Sequence, residues 1–323
     1  MATLSMTSPK KASITVRQFF DKHSGALKMR QLAGETGLQR PIREPTVNRP
    51  GLVLSGFKQY FAPRRVQVMG NVETAYLRSL DRQTRETRYR ELFAHRIPCV
   101  VFCRGLKPEE SLIDAANAAG VPVFESEWIT MKFINLATLA LEDMFAPTGQ
   151  VHGCMVDIQG VGVIVQGESG IGKSEAVLGL LERGYSLVAD DVVLLQLREG
   201  RELVGTAKEE GRNLMEVRGI GIINVAATFG VGAIRREKRV DVLVELKNWD
   251  DAKEVDRLGL DQVYEELLGI PVPRMTIPVR PGRDLARLIE VAAFQTKLKI
   301  SGYNAAEEFT KRLAEKMQSG LQL

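Results

Sequence analysis

The sequence predicts an α/β protein with two domains, a small N-terminal α/β domain over residues 1–145 and a second domain over residues 146–323. The length of 323 residues suits about two domains, because one domain usually takes ~100–200 residues. Strand and helix patterns alternate in the first part, and a glycine-rich motif separates a strand from a helix in the second. The segment Ala146-Pro147-Thr148-Gly149 predicts the boundary, since proline and glycine favour a connection over a regular element.

The composition excludes several classes of protein. An apolar content of 44% with 26% charged residues is typical of a globular chain, and no stretch of 18 apolar residues predicts a membrane span. The N-terminal residues have no apolar core after their lysines, so we expect no secretory signal. Cys99, Cys103 and Cys154 are too few for a disulfide framework, which favours a reducing cytoplasm. The net charge of +4 is too small to indicate nucleic-acid binding.

Apolar spacing and punctuating residues predict the elements of the N-terminal domain. We expect helices over residues 14–24, 73–93, 109–119 and 126–141, strands over 65–69, 98–103 and 122–125, and an extended connection over 40–50. Gly120 ends the third helix, and Ser126 is the expected N-cap of the fourth.

The second domain shows a different pattern. Its predicted elements are strands over 154–158, 161–166 and 185–189 and helices over 174–183, 284–299 and 304–318. Gln159-Gly160 between the first two strands indicates a hairpin.

The glycine-rich motif matches the phosphate-binding loop G-x-x-x-x-G-K-[ST] at every defined position. It consists of Gly167, Glu168, Ser169, Gly170, Ile171, Gly172, Lys173 and Ser174. Glycines allow backbone N–H groups to converge on phosphate oxygens, and the following helix adds the positive end of its dipole. Lys173 would lie near the β- and γ-phosphates, and the Ser174 hydroxyl can bind Mg²⁺.

A pair of carboxylates, Asp190-Asp191, follows the strand after the loop. One of them could organise Mg²⁺ or accept a proton from an attacking hydroxyl. Two adjacent carboxylates cannot both point the same way, so the spacing alone leaves open which one acts.

Two other features are interpreted as structural. Cys99 and Cys103 have no further cysteine or histidine at ligand spacing and belong to an apolar strand, so we do not predict a metal site there. The segment 64–104 holds nine arginines against four acids. Pairing of Asp81 with Arg85 and of Glu86 with Arg90 would make it a solvated helix face, so we predict no nucleic-acid partner.

Further segments carry a resemblance to a known family. They are Glu44–Gly51, Tyr60–Pro63, His152-Gly153, Glu216–Asn224, Asn248-Trp249-Asp250, Asp256–Gly259 and Pro278–Arg283. Together with the loop they resemble, in order and with matching spacing over residues 14–318, the HPr kinase/phosphorylase family. One departure is Glu168, which stands where aspartate is more usual in this loop.

The resemblance implies a bifunctional, cytoplasmic enzyme that regulates carbon metabolism. Such an enzyme uses ATP or pyrophosphate, with Mg²⁺, to phosphorylate a serine of the carrier protein HPr. It removes that phosphate by phosphorolysis with inorganic phosphate, releasing pyrophosphate. The resemblance also implies a homohexamer and a P-loop kinase domain similar to phosphoenolpyruvate carboxykinase.

The resemblance assigns roles residue by residue. The catalytic residues are His152, Lys173, Asp191 and Arg257, and the Mg²⁺ ligands are Ser174 and Glu216. Asp191 is the proton acceptor and, in reverse, the donor. The signature segment is Met215, Glu216, Val217, Arg218, Gly219, Ile220, Gly221, Ile222, Ile223 and Asn224. The dephosphorylation loop is Pro278, Val279, Arg280, Pro281, Gly282 and Arg283.

Two alternatives remain at this point. The chain could be a P-loop protein kinase of the same fold with a different protein target, or an ATP-sensing module without turnover. Asp191, Glu216 and Arg257 favour an enzyme, because nucleotide sensing needs no proton acceptor.

Overall fold

In a computed structural model of the chain, residues 5–8, 13–252 and 263–320 are described. The chain divides into two compact units: residues 9–146 form one, and residues 147–323 with the N-terminal residues 1–8 form the other. The strand at Ser5–Ser8 pairs with Thr148–His152, so it belongs to the unit that follows the N-terminal domain.

The described elements up to residue 146, in chain order, are β1 (Ser5–Ser8), β2 (Ile14–Thr15), α1 (Val16–Leu27), β3 (Met29–Ala33), β4 (Pro41–Ile42), β5 (Val47–Asn48), α2 (Gly51–Leu54), β6 (Val66–Met69), α3 (Asn71–Ser79), α4 (Arg82–Ala94), β7 (Val100–Phe102), α5 (Glu110–Ala119), β8 (Val123–Ser126) and α6 (Thr130–Phe145). Five of these strands form a sheet with the order β3-β8-β7-β6-β5. The neighbouring strands are parallel, except that β3 is antiparallel to β8.

Alternating side chains of this sheet fill a core on each face. Val101 and Phe124 pack with α1 and α6 on one face, whereas Val100, Phe102 and Val123 pack with α3, α4 and α5 on the other. The unit is therefore a helix–sheet–helix sandwich, as expected for parallel strands that are buried on both faces.

Two helix predictions for this unit are wrong in detail. The single helix expected over 73–93 is two helices, because Leu80 is extended and the Asp81 side chain accepts the N–H of Thr84 and starts α4. Ser126 does not cap α6. It ends β8, where its buried hydroxyl donates to the Leu27 carbonyl at 2.6 Å.

The arginines of α4 pair with carboxylates. Glu86 lies 3.0 Å from Arg82 and 3.6 Å from Arg90, as an i,i+4 neighbour of each. Arg85 contacts Glu109 rather than the predicted partner Asp81, whose carboxylate is already engaged as the cap.

Cys99 and Cys103 flank β7 and are fully buried in the first of these cores. Burial raises the pKa of each thiol to about 12. Both side chains are therefore neutral, apolar core groups.

The described elements of the second unit are β9 (Thr148–His152), β10 (Cys154–Ile158), β11 (Val161–Gly167), α7 (Lys173–Glu182), β12 (Ser186–Ala189), β13 (Val192–Arg198), β14 (Glu202–Ala207), β15 (Leu214–Val217), β16 (Gly221–Asn224), α8 (Val225–Phe229), β17 (Glu237–Arg239), β18 (Val242–Asn248), β19 (Val263–Leu267), β20 (Ile270–Val279), α9 (Leu285–Ile300) and α10 (Ala305–Gly320). The predicted hairpin of β10 and β11 is confirmed.

Two sheets and a helical layer build this unit. A five-stranded sheet has the order β1-β9-β13-β14-β17, and a six-stranded sheet has the order β12-β10-β11-β18-β20-β19. One core, with Met155, Ile164 and Leu243, lies between the sheets. Another, with Val163 and Val244, lies between the six-stranded sheet and α7 and α9. Side chains of the central strands therefore alternate between two cores.

Three neighbouring strands of the larger sheet end together. β11 is parallel to β18, and β18 is parallel to β20. Gly167 and Ile277 both pair with Leu246, one from each side. The edge at which these strands end, called the carboxyl edge below, is where open parallel sheets place their ligand sites.

No helix among the described residues is long and apolar enough to cross a membrane.

Candidate functional site

The glycine-rich loop leaves β11 at the carboxyl edge and runs directly into α7. Gly167 has φ +150°, and a Cβ there would lie 2.7 Å from the Leu246 carbonyl oxygen, so only glycine fits this turn. α7 begins at Lys173, one residue before the predicted start. The loop thus has the strand–turn–helix geometry that directs backbone donors and a helix N-terminus at one point.

Lys173 folds back over the loop. Its Nζ donates to the carbonyl oxygens of Gly167 at 2.8 Å and Glu168 at 2.9 Å. The side chain is half-buried, so its charge lies against the loop and not in bulk water. An ammonium in this place can stabilise negative charge on a group bound by the loop.

The signature segment forms a hairpin of β15 and β16 with its tip at residues 218–220. Met215 and Val217 are buried, so the alternation of a strand turns Glu216 to solvent between them. At the tip, the Arg218 guanidinium donates to the Ser169 hydroxyl at 2.9 Å. This contact ties the hairpin to the glycine-rich loop.

Asp190 and Asp191 follow β12 and have different surroundings. One carboxylate oxygen of Asp190 accepts the Cys154 thiol at 3.0 Å, and the other accepts the Glu216 N–H at 3.0 Å. Asp190 therefore joins β10, the end of β12 and the strand that carries Glu216.

Cys154 is the buried donor in this arrangement. Burial, and after it the negative charge of Asp190, raises the pKa of the Cys154 thiol. The sulfur therefore keeps its proton and donates it to the carboxylate.

Asp191 adopts the left-handed region with φ +63°, which is uncommon for a residue other than glycine. Its carbonyl oxygen accepts the Gly153 N–H at 2.9 Å, whereas its exposed carboxylate has no hydrogen bond or ion pair with any described residue. The turn separates the two carboxylates, one fixed and one available to a substrate.

His152 ends β9 and pairs in register with Val192, beside Asp191. The next residue, Gly153, has φ +151°, and a Cβ there would lie 2.6 Å from the Val165 carbonyl oxygen of β11. The histidine is exposed, and no hydrogen bond joins it to Asp191 although both residues are described. His152 therefore lies next to Asp191 through the strand pairing alone.

The dephosphorylation loop begins with the last two residues of β20 and leaves the same carboxyl edge. Arg283 donates to the Pro278 carbonyl at 2.8 Å and closes the loop on itself. The Arg280 guanidinium carbon lies 3.2 Å over the ring centroid of Trp249, which follows β18. α9 then begins with Asp284 as its N-cap, and a Cβ at Gly172 would lie 3.4 Å from Leu285.

The predicted residues therefore fall into two groups. The glycine-rich loop, the signature hairpin, the two aspartates, His152 and the dephosphorylation loop belong to one unit. Hydrogen bonds join the first three of these, and strand pairing places His152 and the dephosphorylation loop on the same sheets. Arg257 lies outside the described residues. The roles of all these residues remain predictions.

Sequence reasoning missed three contacts: the bond from Cys154 to Asp190, the bond from Arg218 to Ser169, and the stacking of Arg280 on Trp249. The sequence did not predict the bond made by Cys154, because a lone cysteine in an apolar run is typical of a core residue. Arg218 and Trp249 each lie in a segment that carried the family resemblance, so their segments were identified although their partners were not.

The fold and the site define a class: two-domain α/β proteins in which a lysine-bearing, glycine-rich loop lies beside carboxylates at the carboxyl edge of a sheet. Residues 14–141 match the family described as HPr Serine kinase N terminus, and residues 143–313 match HPr Serine kinase C-terminal domain. The chain belongs to the HPr serine kinase family.

Individual relatives agree with the family. The HPr kinase/phosphorylase of Shouchella clausii is 42% identical over 309 residues, which are 96% of this chain and 98% of the relative. That of Chloroherpeton thalassium is 41% identical, covering 95% of this chain and 91% of the relative. A solved structure of the Hpr(Ser) kinase/phosphatase from Coxiella burnetii is 34% identical, with a TM-score of 0.45, and covers 50% of this chain and 97% of its own.

These findings confirm the predicted family, the mixed α/β architecture with two domains, and the prediction that the chain is an enzyme.

Proposed function

We propose that this enzyme phosphorylates a serine of the carrier protein HPr with ATP or pyrophosphate, and that it reverses the reaction by phosphorolysis. The observation that carries the proposal is the family match over both domains. It is supported by the hydrogen bonds that join the segment of Glu216 to Asp190, the neighbour of Asp191, and to the glycine-rich loop. A site of this kind provides an anion-binding loop, a cation and a free carboxylate, which phosphoryl transfer to a hydroxyl requires.

In the forward direction the loop backbone and Lys173 hold the phosphates and reduce the negative charge on the transferred group. Asp191 accepts the proton of the attacking serine hydroxyl, since its carboxylate has no partner among the described residues. His152, next to it across the strand pair, would orient that carboxylate or the substrate. Arg257 is proposed to stabilise charge on the phosphoryl group, on the family resemblance alone.

In the reverse direction the same groups act in the opposite order. An oxygen of inorganic phosphate forms a bond to the phosphorus of phosphoserine, and the bond from phosphorus to the serine oxygen breaks. The serine oxygen takes its proton from Asp191, and pyrophosphate leaves. The loop Pro278–Arg283 would hold the additional anion, because its arginines lie at the same carboxyl edge as the glycine-rich loop.

The residues proposed for Mg²⁺ suit this ion. Ser174 lies in the first turn of α7 and Glu216 lies on β15, and the side-chain oxygens of both are without a hydrogen bond to any described residue. Mg²⁺ prefers oxygen ligands and usually keeps phosphate oxygens and waters beside one or two protein ligands. When bound, it would neutralise charge on the phosphates.

We further propose the finer properties that the family resemblance implies: a catalytic domain similar to phosphoenolpyruvate carboxykinase, a homohexamer, a role in regulating carbon metabolism, and a cytoplasmic location. The location is supported by the three cysteines, all of which are buried and unpaired.

The test is incubation of the purified chain with HPr, ATP and Mg²⁺, with phosphoserine measured by mass spectrometry. We expect phosphorylation of HPr and none of HPr in which the target serine is alanine. Inorganic phosphate added afterwards should remove the phosphoserine and produce pyrophosphate.

Other results would favour the alternatives. ATP hydrolysis without transfer to HPr would indicate a kinase with another protein target. Nucleotide binding without turnover would indicate a sensing module, and would contradict the proposed role of Asp191.

A further inference from the structure

Cys154 is a buried thiol whose bond to Asp190 has no part in the steps proposed above. It begins β10, and its sulfur lies 3.0 Å from one carboxylate oxygen of Asp190. The thiol keeps its proton, because burial raises its pKa. A hydrogen bond to an ionised acceptor is stronger than one between neutral groups. The thiol therefore favours one orientation of the Asp190 carboxylate.

The other oxygen of this carboxylate is bound to a different element. It accepts the backbone N–H of Glu216 on β15 at 3.0 Å. Each oxygen is thus tied to its own donor, so the carboxylate cannot rotate without losing one of the two bonds. Cys154 and Glu216 are in this way the two ends of a chain of hydrogen bonds that passes through Asp190.

The hairpin that carries Glu216 depends on such support. β15 and β16 form a two-stranded sheet of their own, separate from the two larger sheets of this unit. A two-stranded hairpin is only marginally stable by itself. Met215 and Val217 anchor β15 in the core, but apolar contacts are not directional and do not fix the strand along its axis. The bond from the Glu216 N–H to Asp190 provides that direction.

The position of β15 matters because the proposed Mg²⁺ ligands come from two elements. Ser174 lies on α7, and Glu216 lies on β15, which shares a core with Ala176 and Val177 of α7. Mg²⁺ demands near-octahedral geometry with short bonds to oxygen, so a small shift of β15 against α7 would separate the two ligands. Groups that orient metal ligands from behind commonly change metal affinity by about 10–100-fold.

We propose that Cys154 is a positioning residue for the Mg²⁺ site. By fixing Asp190, it holds β15 so that Glu216 reaches the same ion as Ser174. The inference rests on the proposed function, where both ligands are assigned, and extends it to a side chain that touches neither nucleotide nor metal. A packing role would require only the apolar volume of Cys154, whereas the positioning role requires its hydrogen-bond donor.

Two substitutions separate these roles. Cys154→Ser keeps a donor, and Cys154→Val keeps an apolar side chain that suits a strand but has no donor. The probe is Mn²⁺, which takes the same oxygen ligands, titrated into the purified nucleotide-free chain with free Mn²⁺ measured by electron paramagnetic resonance. We expect the Kd for Mn²⁺ to rise about tenfold in Cys154→Val and to stay within about twofold in Cys154→Ser. Glu216→Gln, which removes a ligand, gives the reference for the full loss.

Kinetics should follow the binding of the metal. In Cys154→Val, the Mg²⁺ concentration for half-maximal phosphorylation of HPr should rise about tenfold, while kcat at saturating Mg²⁺ should stay within about twofold. In an Asp190→Ala background, Cys154→Val should cause no further loss of Mn²⁺ affinity, because the chain of bonds is already broken. The matched control is the same pair of substitutions at Cys99, a buried thiol of the N-terminal unit, which should leave the Kd for Mn²⁺ unchanged.

The outcomes separate the inference from the proposed function. An unchanged Kd for Mn²⁺ in a Cys154→Val variant that is folded by circular dichroism, or equal losses in Cys154→Val and Cys154→Ser, would overturn the positioning role. Wild-type affinity in Glu216→Gln would refute the assigned ligand, and the inference with it. A wild-type chain that binds Mn²⁺ through the Cys154 donor, but transfers no phosphate to HPr, would support the inference and refute the proposed function.

Discussion

Asp190 and Asp191 differ in their surroundings, and the backbone turns between them. Asp191 has φ +63°, and its side chain is exposed whereas that of Asp190 is half-buried. Asp190 accepts hydrogen bonds on both oxygens, and Asp191 has a free carboxylate. A proton acceptor needs a lone pair that reaches the substrate, so the geometry favours Asp191 for catalysis and Asp190 for holding Glu216 in place.

Asp191→Asn should lower the rate of HPr phosphorylation by ~10²–10⁴-fold, the usual cost of losing a general base. Asparagine tolerates the left-handed conformation, so the fold should be kept. ATP affinity, measured by calorimetry, should change little. An Asp191→Asn variant that keeps more than half of the wild-type rate while Asp190→Asn is inactive would show that the wrong carboxylate was chosen.

Lys173→Ala should reduce phosphorylation and phosphorolysis alike, each by ~10²–10³-fold, because both pass through the same charged transition state. The backbone donors and the helix N-terminus remain, so weak nucleotide binding should persist. Lys297→Ala is the matched control, since its Nζ also donates to a backbone carbonyl, that of Gln159 at 2.9 Å, outside the site. Initial rates in both directions provide the measurement, and a wild-type rate in Lys173→Ala would contradict the assignment.

At the scale of elements, two loops leave the same edge because three parallel strands end there, and the signature hairpin is tied to one of them by the bond from Arg218 to Ser169. The dephosphorylation loop needs its own internal contacts to keep its shape beyond β20. Its closing contact is the bond from Arg283 to the Pro278 carbonyl, 2.8 Å long.

Arg283→Ala should therefore depress phosphorolysis more than phosphorylation. Loss of a charged hydrogen bond typically reduces a rate by roughly 10–100-fold, and we expect this only in the reverse direction. Arg201→Ala is the control, because Arg201 pairs with Glu199 in a turn between β13 and β14. Equal losses in both directions would point to shared substrate docking or damaged assembly.

The start of α3 gives a prediction about pH. Glu73 is buried, accepts the Gly70 N–H at 2.9 Å and pairs with Arg49. Burial alone would raise the pKa of Glu73, but the hydrogen bonds from Arg49 and from backbone N–H groups outweigh it, so the pKa is lowered. A lowered pKa means that Glu73 stabilises the fold above the unfolded pKa, and that this contribution is lost as the pH falls through the folded pKa.

Glu73→Gln should thus lower the free energy of unfolding at pH 7 by roughly 1 kcal/mol, at the low end for a charged pair because Arg49 is partly exposed. The difference in the free energy of unfolding between Glu73→Gln and wild type should be constant above about pH 5. It should shrink in acid, where wild-type Glu73 also becomes neutral. Urea unfolding across pH 3–8 measures this difference. The exposed Glu142 on α6 provides the control substitution Glu142→Gln. A difference that grows in acid would contradict the assigned sign.

At the scale of the whole chain, each unit has its own cores and sheets. The N-terminal unit closes helices over both faces of its sheet and so contains two cores of its own. A fragment of residues 13–146 should therefore fold alone.

That fragment should unfold cooperatively in urea and protect the amides of β6, β7 and β8 from hydrogen exchange. It should lack kinase activity, because the glycine-rich loop lies in the other unit. A fragment with non-cooperative unfolding and no protected amides would show that the N-terminal unit depends on the rest of the chain.

The sequence by itself determined the local features of this protein. The glycine-rich motif, the hairpin signal at Gln159-Gly160 and the apolar strands depend on neighbouring residues, so rules for short segments predict them. The family resemblance depends on several such segments in a fixed order. A local rule failed where one side chain had two possible hydrogen-bonding partners. Asp81 could pair with Arg85 or cap a helix, and Ser126 could cap α6 or bond to the Leu27 carbonyl.

Only the tertiary structure decided the contacts between distant segments. The sheet register places residues 167 and 277 on either side of Leu246, although 110 positions separate them in the chain. Cys154 and Glu216 meet on Asp190, and Arg280 meets Trp249, because the fold brings together segments that are far apart in sequence. Pairing of this kind depends on the packing of all strands at once, and no short segment carries that information.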